Sequence, residues 1–66
     1  MQIHLNGEPR DVADETTVAG LLADLKLRTN ALAVERNRQL VPRRDHQTTR
    51  LQPGDRIEIV TLVGGG

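Results

Sequence analysis

Three successive glycines, Gly64, Gly65 and Gly66, end this chain directly after Ile57-Glu58-Ile59-Val60-Thr61-Leu62-Val63. The chemistry on offer there is that of a C-terminal carboxylate. A carboxylate resists nucleophilic attack until a leaving group is attached, as in an acyl-adenylate, and a terminal glycine leaves its carbonyl free of steric bulk. A run of β-branched residues suits a strand, whereas three glycines cannot hold one, so an ordered rod is predicted to run into a flexible tether. From Val63 to Gly66 that tether extends roughly 13 Å, enough to pass the carboxylate into another protein's active site. The competing reading is a frayed terminus or an expression remnant. Two features argue against it: the glycines follow a strong strand with no polar spacer, and the rest of the sequence offers no other reactive group.

Zero cysteine excludes disulfides, thiolate metal sites, thiol nucleophiles and cysteine persulfide carriers. His4 and His46 match no ligand spacing and are expected to be ordinary surface histidines, with no metal bound. No glycine-rich phosphate loop followed by lysine is present, so any nucleotide must be held elsewhere. Arg36, Arg38, Arg43, Arg44 and Arg50 could form a phosphate patch, as in a small RNA-binding module. Without one aromatic residue to stack on bases, and with Glu35 and Asp45 interleaved, a solvated face is the better reading. The formal net charge is zero, from nine basic and nine acidic residues, so no global field draws the chain to nucleic acid or to an anionic membrane.

Sixty-six residues make one small domain, near the lower limit for a core that holds without disulfides or metal. That leaves no room for a catalytic cleft between domains. At 36% hydrophobic and 27% charged the composition is globular, and the core must be filled by Leu, Ile, Val and Ala. No apolar run reaches membrane-spanning length and no signal peptide is apparent, which makes the cytoplasm the expected location.

The positioning elements follow from pattern. Gln2-Ile3-His4-Leu5 alternates and meets Asn6-Gly7, a tight hairpin signal, with Ile3 and Leu5 inward. Pro9 lacks an N–H, so the returning strand belongs at a sheet edge. Thr17 is the predicted N-cap of a helix starting at Val18, with Asp14 and Glu15 near its positive end. Val18, Leu21, Leu22 and Leu25 form one helical stripe, and Gly20 within it is expected to mark close packing against the sheet. The pattern fades after Leu27, and Arg28-Thr29-Asn30 is expected to close the helix, with Asn30 left-handed. Ala31 to Glu35 reads as an inner strand with Leu32 and Val34 inward, followed by a turn at Arg36-Asn37-Arg38. Gln39-Leu40-Val41 is a brief strand stopped by Pro42, Arg43 to Thr49 a loop or single helical turn, and Leu51 the anchor of a further short segment. Pro53-Gly54-Asp55 turns into the last strand, with Ile57, Ile59 and Thr61 on one face. Val60 and Leu62 then lie on the face the helix does not cover and, with Val63, make a candidate partner interface.

One helix over one face of a mixed sheet of four to five strands is an α+β, ubiquitin-like β-grasp, with residues 1–63 as the domain and 64–66 as the tail. The Asn-Gly hairpin, Thr17-Val18, Ala31-Leu32-Ala33-Val34 with Asn37, Val41-Pro42-Arg43, Gly54-Asp55 and the glycine end together resemble the small sulfur-carrier family of thiazole (thiamin) biosynthesis, over essentially the whole chain. The third glycine departs from that family's minimal diglycine ending. The resemblance implies a carrier rather than an enzyme. Its Gly66 carboxylate would be adenylated by an adenylating (E1-like) enzyme and converted to a thiocarboxylate, with Gly64 and Gly65 threading that partner's active site. ATP and Mg²⁺ would belong to the partner, sulfur would come from a donor such as a cysteine desulfurase system, and a thiazole synthase would receive it. Related carriers give two alternatives: a molybdopterin-type sulfur carrier, usually longer in chain and tail, and a ubiquitin-like modifier that ends in an amide to lysine.

Overall fold

The computed structural model describes residues 1–27 and 31–61. Strands β1 (Gln2–Leu5) and β2 (Glu8–Asp11) precede helix α1 (Val18–Asp24), followed by β3 (Leu32–Arg36), β4 (Gln39–Val41), a 3₁₀ turn (Arg43–Asp45) and β5 (Arg56–Thr61). The sheet order is β2-β1-β5-β3-β4, with β1 and β5 parallel and the other neighbours antiparallel. The Pro9 strand lies at one edge, as its missing donor requires. The last strand lies at the centre.

The core is aliphatic, as the composition demands. Ile3 from β1, Val34 from β3 and Ile57 from β5 meet Val18, Leu21 and Leu22 of α1, with Leu51 closing the cluster; all are essentially fully buried. Leu5, Leu25, Leu27 and Ile59 pack at its margin. α1 therefore covers one sheet face and leaves the other open.

The start of α1 follows the sequence pattern. The Thr17 hydroxyl accepts from the Gly20 N–H at 3.1 Å, while Val18 N–H reaches Thr49 C=O at 2.9 Å and Ala19 N–H reaches His46 C=O at 2.8 Å. The first-turn donors of the helix are thus satisfied by its own N-cap and, for Val18 and Ala19, by the segment that precedes β5. That segment adds a bridge between Thr17 and Arg50, and Leu51 N–H bonds Thr16 C=O at 2.8 Å. Asp14 and Glu15 spend their charge on the N-terminal amine and on Arg50 rather than on the helix end.

Three expectations need correction. The helix stops earlier than its stripe suggests: Leu25 is the C-cap, and the left-handed residue is Lys26, at φ 58°. Leu27 N–H bonds Leu22 C=O and Lys26 N–H bonds Ala23 C=O, both at 3.0 Å. This is the paired closure in which Leu27 also folds back on the core. Arg28-Thr29-Asn30, read as the helix end, lies outside the described residues.

Gly20 does not sit against the sheet. A methyl group there would meet only Thr17 Oγ1 at 3.5 Å and Thr16 Cγ2 at 3.6 Å, ordinary contacts. Gly20→Ala is therefore expected to raise stability by about 1 kcal/mol, the usual propensity difference inside a helix. An upward shift of the urea midpoint at unchanged slope would show it.

His46 is buried, at 3% exposure, not on the surface. Its Nε2–H donates to the Val41 carbonyl at 3.0 Å, tying the segment after β4 back to that strand, and Nδ1 has no partner among the described residues. His4 is half-buried.

Candidate functional site

The described part of the site is β5, the rod that leads to the terminal glycines. Two asparagines hold it, one on each side. Asn6 and Asn37 both occupy hairpin turns at positive φ, 51° and 52°, a conformation that asparagine tolerates better than most residues. On the β1 side, Asn6 N–H donates to Ile57 C=O at 2.8 Å and Asn6 Oδ1 accepts from Ile59 N–H at 2.9 Å. On the β3 side, Asn37 N–H donates to Arg56 C=O at 2.7 Å and Asn37 Oδ1 accepts from Arg56 N–H at 2.9 Å. Each turn thus extends a ladder by one residue and grips β5 with a side chain. The sequence reading found both turns and missed this second role, which local pattern does not reveal.

Asp55 fixes the base of the strand. Only 6% exposed, it accepts from Arg36 Nε at 2.7 Å, Gln52 N–H at 2.8 Å and Asn37 Nδ2 at 3.1 Å. Burial alone pushes its carboxyl pKa up. The hydrogen bonds from Gln52, Arg36 and Asn37 and the charge of Arg36 more than offset this and hold the pKa below the ordinary carboxylate value. A depressed folded-state pKa gives stability that is present above the unfolded pKa and lost as pH falls through the folded one. The unfolded value is about 3.9. Unfolding measured from neutral pH downward should therefore show a loss of stability below about pH 4 that the Asp55→Asn variant lacks. Asp55→Ala leaves three donors without their acceptor and is expected to cost about 2 to 3 kcal/mol, measured in urea.

On the open face, Val60 is 55% exposed and stands opposite Ala33. This agrees with the predicted orientation, since Ile57 is buried and Ile59 half-buried on the α1 side. The structure adds Leu40, which is 64% exposed and shares the face through its pairing with Glu35. The sequence reading treated Leu40 only as part of a brief strand. Leu62, Val63, Gly64, Gly65 and Gly66 lie outside the described residues. Of the five arginines considered as a phosphate patch, Arg36 is committed to Asp55 and Arg50 to Glu15. Among the described residues no group of His, Asp and Glu could hold a metal ion, and no helix is long and apolar enough to cross a membrane.

A β-grasp domain with its final strand locked at the sheet centre, and a glycine end beyond it, defines the class of small ubiquitin-like carriers. Comparison gives the particular family. The ThiS family model matches residues 3–66. The sulfur carrier protein ThiS of Bacillus subtilis is 37% identical over 67 residues, covering 97% of this chain and 98% of that one. The crystal structure of the thiamine biosynthesis protein ThiS from Geobacter metallireducens superposes with a TM-score of 0.87 at 32% identity, covering 100% of both chains. A thiazole synthase of Magnetococcus marinus is 46% identical over 66 residues; all of this chain aligns, to 20% of that protein. The chain thus spans 20% of the length of the thiazole synthases it matches. It belongs to the ThiS family, the β-grasp sulfur carriers of thiamin biosynthesis.

Proposed function

We propose that this chain carries sulfur as a thiocarboxylate on Gly66 for thiazole ring formation. The observation that carries the reading is the family match through residue 66, which includes the terminal glycines. In the first step a Gly66 carboxylate oxygen attacks the α-phosphorus of ATP on an adenylating enzyme, and pyrophosphate leaves. A persulfide on a donor such as a cysteine desulfurase system then attacks the carbonyl carbon through its terminal sulfur and displaces AMP, and a thiol cleaves the resulting acyl disulfide, leaving the thiocarboxylate on Gly66 and a disulfide on the donor. The product holds sulfur without using any cysteine, in keeping with a chain that has none.

In this reading residues 1–63 form the presenting domain and 64–66 the tether. Gly64 and Gly65 pass through a channel that side chains would block. Val60, Leu62 and Val63 make the contact beside it, and ATP and Mg²⁺ are held by the activating enzyme in the cytoplasm. A thiazole synthase as sulfur acceptor is supported by relatives in which a segment like this one forms part of a longer chain of that name.

Intact-protein mass spectrometry of the chain from its native cell tests the reading. A fraction with one terminal oxygen replaced by sulfur is expected. Finding the chain instead in amide linkage to lysines of other proteins would make it a modifier and overturn the proposal.

A further inference from the structure

Of the nine basic residues, all but Lys26 are arginines. The difference is one of reactivity rather than charge. A guanidinium stays protonated and is no nucleophile, whereas a lysine amine that has lost its proton attacks activated carbonyls. With no cysteine either, the chain offers few groups that could attack its own acyl-adenylate. The N-terminal amine is engaged, donating to Val12 C=O at 2.8 Å and pairing with Asp14 at 3.4 Å. Lys26 is exposed and forms no ion pair among the described residues, whose ion pairs are Met1–Asp14, Arg36–Asp55 and Arg50–Glu15. Among those residues it is the amine left to react.

The fold places Lys26 at the end of the sheet from which β5 runs out. α1 begins beside the base of β5, where Thr17 bridges Arg50 and Thr16 C=O accepts from Leu51 N–H. It runs away from that base as far as Leu25, its C-cap. Beyond the cap Lys26 turns at φ 58° and Leu27 packs on the core. The chain must then reach Leu32, which stands opposite Thr61 at the end of β5. Lys26 and the start of the tail therefore lie at one end of the domain. The stretch from Thr61 to Gly66 reaches roughly 17 Å at the usual advance per residue, and the lysine adds a flexible four-carbon stem.

We propose that Lys26 is this chain's own acyl acceptor, closing a ring onto Gly66 when activation outruns the supply of sulfur. The unprotonated Nζ attacks the carbonyl carbon of the Gly66 acyl-adenylate. A C–N bond forms, the C–O bond to the phosphate breaks, AMP leaves with that electron pair, and the nitrogen gives its extra proton to solvent. The product is an amide that carries no sulfur and keeps no terminal carboxylate to activate. Ring closure wins over attack on a second copy because groups on one short flexible tether meet at an effective concentration in roughly the millimolar range. Arginine at the other basic positions keeps the charge and removes the remaining acceptors. The inference rests on the carrier reading above and adds a competing fate for its intermediate.

The test incubates the carrier with its activating enzyme, ATP and Mg²⁺ but no sulfur donor, and follows intact and tandem mass spectra beside ATP–pyrophosphate exchange. A monomer lighter by one water, with its amide mapped to Lys26 and Gly66, is expected to accumulate. Lys26→Arg should exchange like wild type and form no ring. Lys26→Arg/Arg44→Lys moves the lysine to the exposed 3₁₀ turn, whose following residue His46 bonds the first turn of α1, at the far end from the tail. That double variant should form no ring either. Wild-type ring closure in the double variant, closure through the Met1 amine, or a dimer joined through Lys26 in place of the ring would each overturn the proposal. So would normal exchange by wild type with no loss of water, which leaves the carrier reading standing. Absence of exchange with wild-type carrier at any concentration would overturn the carrier reading, and this inference with it.

Discussion

Deletion of Gly65 and Gly66 is expected to abolish ATP–pyrophosphate exchange with the cognate activating enzyme and to leave no thiocarboxylate in the cell, while the domain unfolds at its wild-type temperature. The deletion draws the carboxylate back by roughly 7 Å at the usual advance per residue. A reaction that depends on positioning loses about a hundred-fold in rate for a displacement of only about 1 Å, so a shift of this size puts the carboxylate out of line with the α-phosphorus altogether. Appending one residue after Gly66 errs in the other direction by roughly 3 to 4 Å and puts a side chain at the reacting carbon, with the same expected loss. Neither change touches the cluster formed by Ile3, Val18, Leu21, Leu22, Val34, Leu51 and Ile57. Stability and activity should therefore separate cleanly. Wild-type exchange by the double deletion would return the glycines to the status of an unused terminus.

The second large effect is expected at Val60. Val60→Asp should raise the apparent KM for the carrier in the same exchange assay by about ten- to a hundred-fold, the range found when a central contact residue is lost and a charge is desolvated in its place. Stability should change by no more than about 0.5 kcal/mol, because the side chain is 55% exposed and its strand partner is Ala33 rather than a core residue. Ile57→Asp provides the contrast: that side chain is fully buried, and the variant should not fold. If Val60→Asp unfolded the domain instead, Val60 would belong to the core. If it folded and bound normally, the open face would not be the docking face.

Local signals carried much of this structure because each had a cheap physical test in the sequence. Asn6-Gly7 supplies two residues that accept positive φ, Pro9 has no donor to offer a central strand, and Thr17 followed by the spacing of Val18, Leu21 and Leu22 specifies a capped amphipathic helix. Alternation through Ile57 and Ile59 assigned the faces of β5 and left Val60 outward, as observed. Gly64, Gly65 and Gly66 suggested the chemistry on their own, because a bare terminal carboxylate is a group whose reactivity needs no surrounding fold.

Tertiary structure decided what depends on partners distant along the chain. The helix ends at Asp24, with Lys26 turning left-handed beyond the cap, because Leu27 packs into the core, and an apolar stripe alone cannot show where that happens. His46 is buried because its ring reaches Val41 and its carbonyl caps α1, two contacts with no local signature. Asn6 and Asn37 read as turn residues, and only the assembled sheet brings their amides to opposite sides of β5. Asp55 read as part of a turn, and only the fold gathers Arg36, Asn37 and Gln52 around it. Glu35 and Glu58 lie 23 residues apart by their numbers, 58 minus 35, and nothing short of strand register opposes them. Periodicity states which way a side chain points; which other side chain it meets is set by how the strands pair across the sheet.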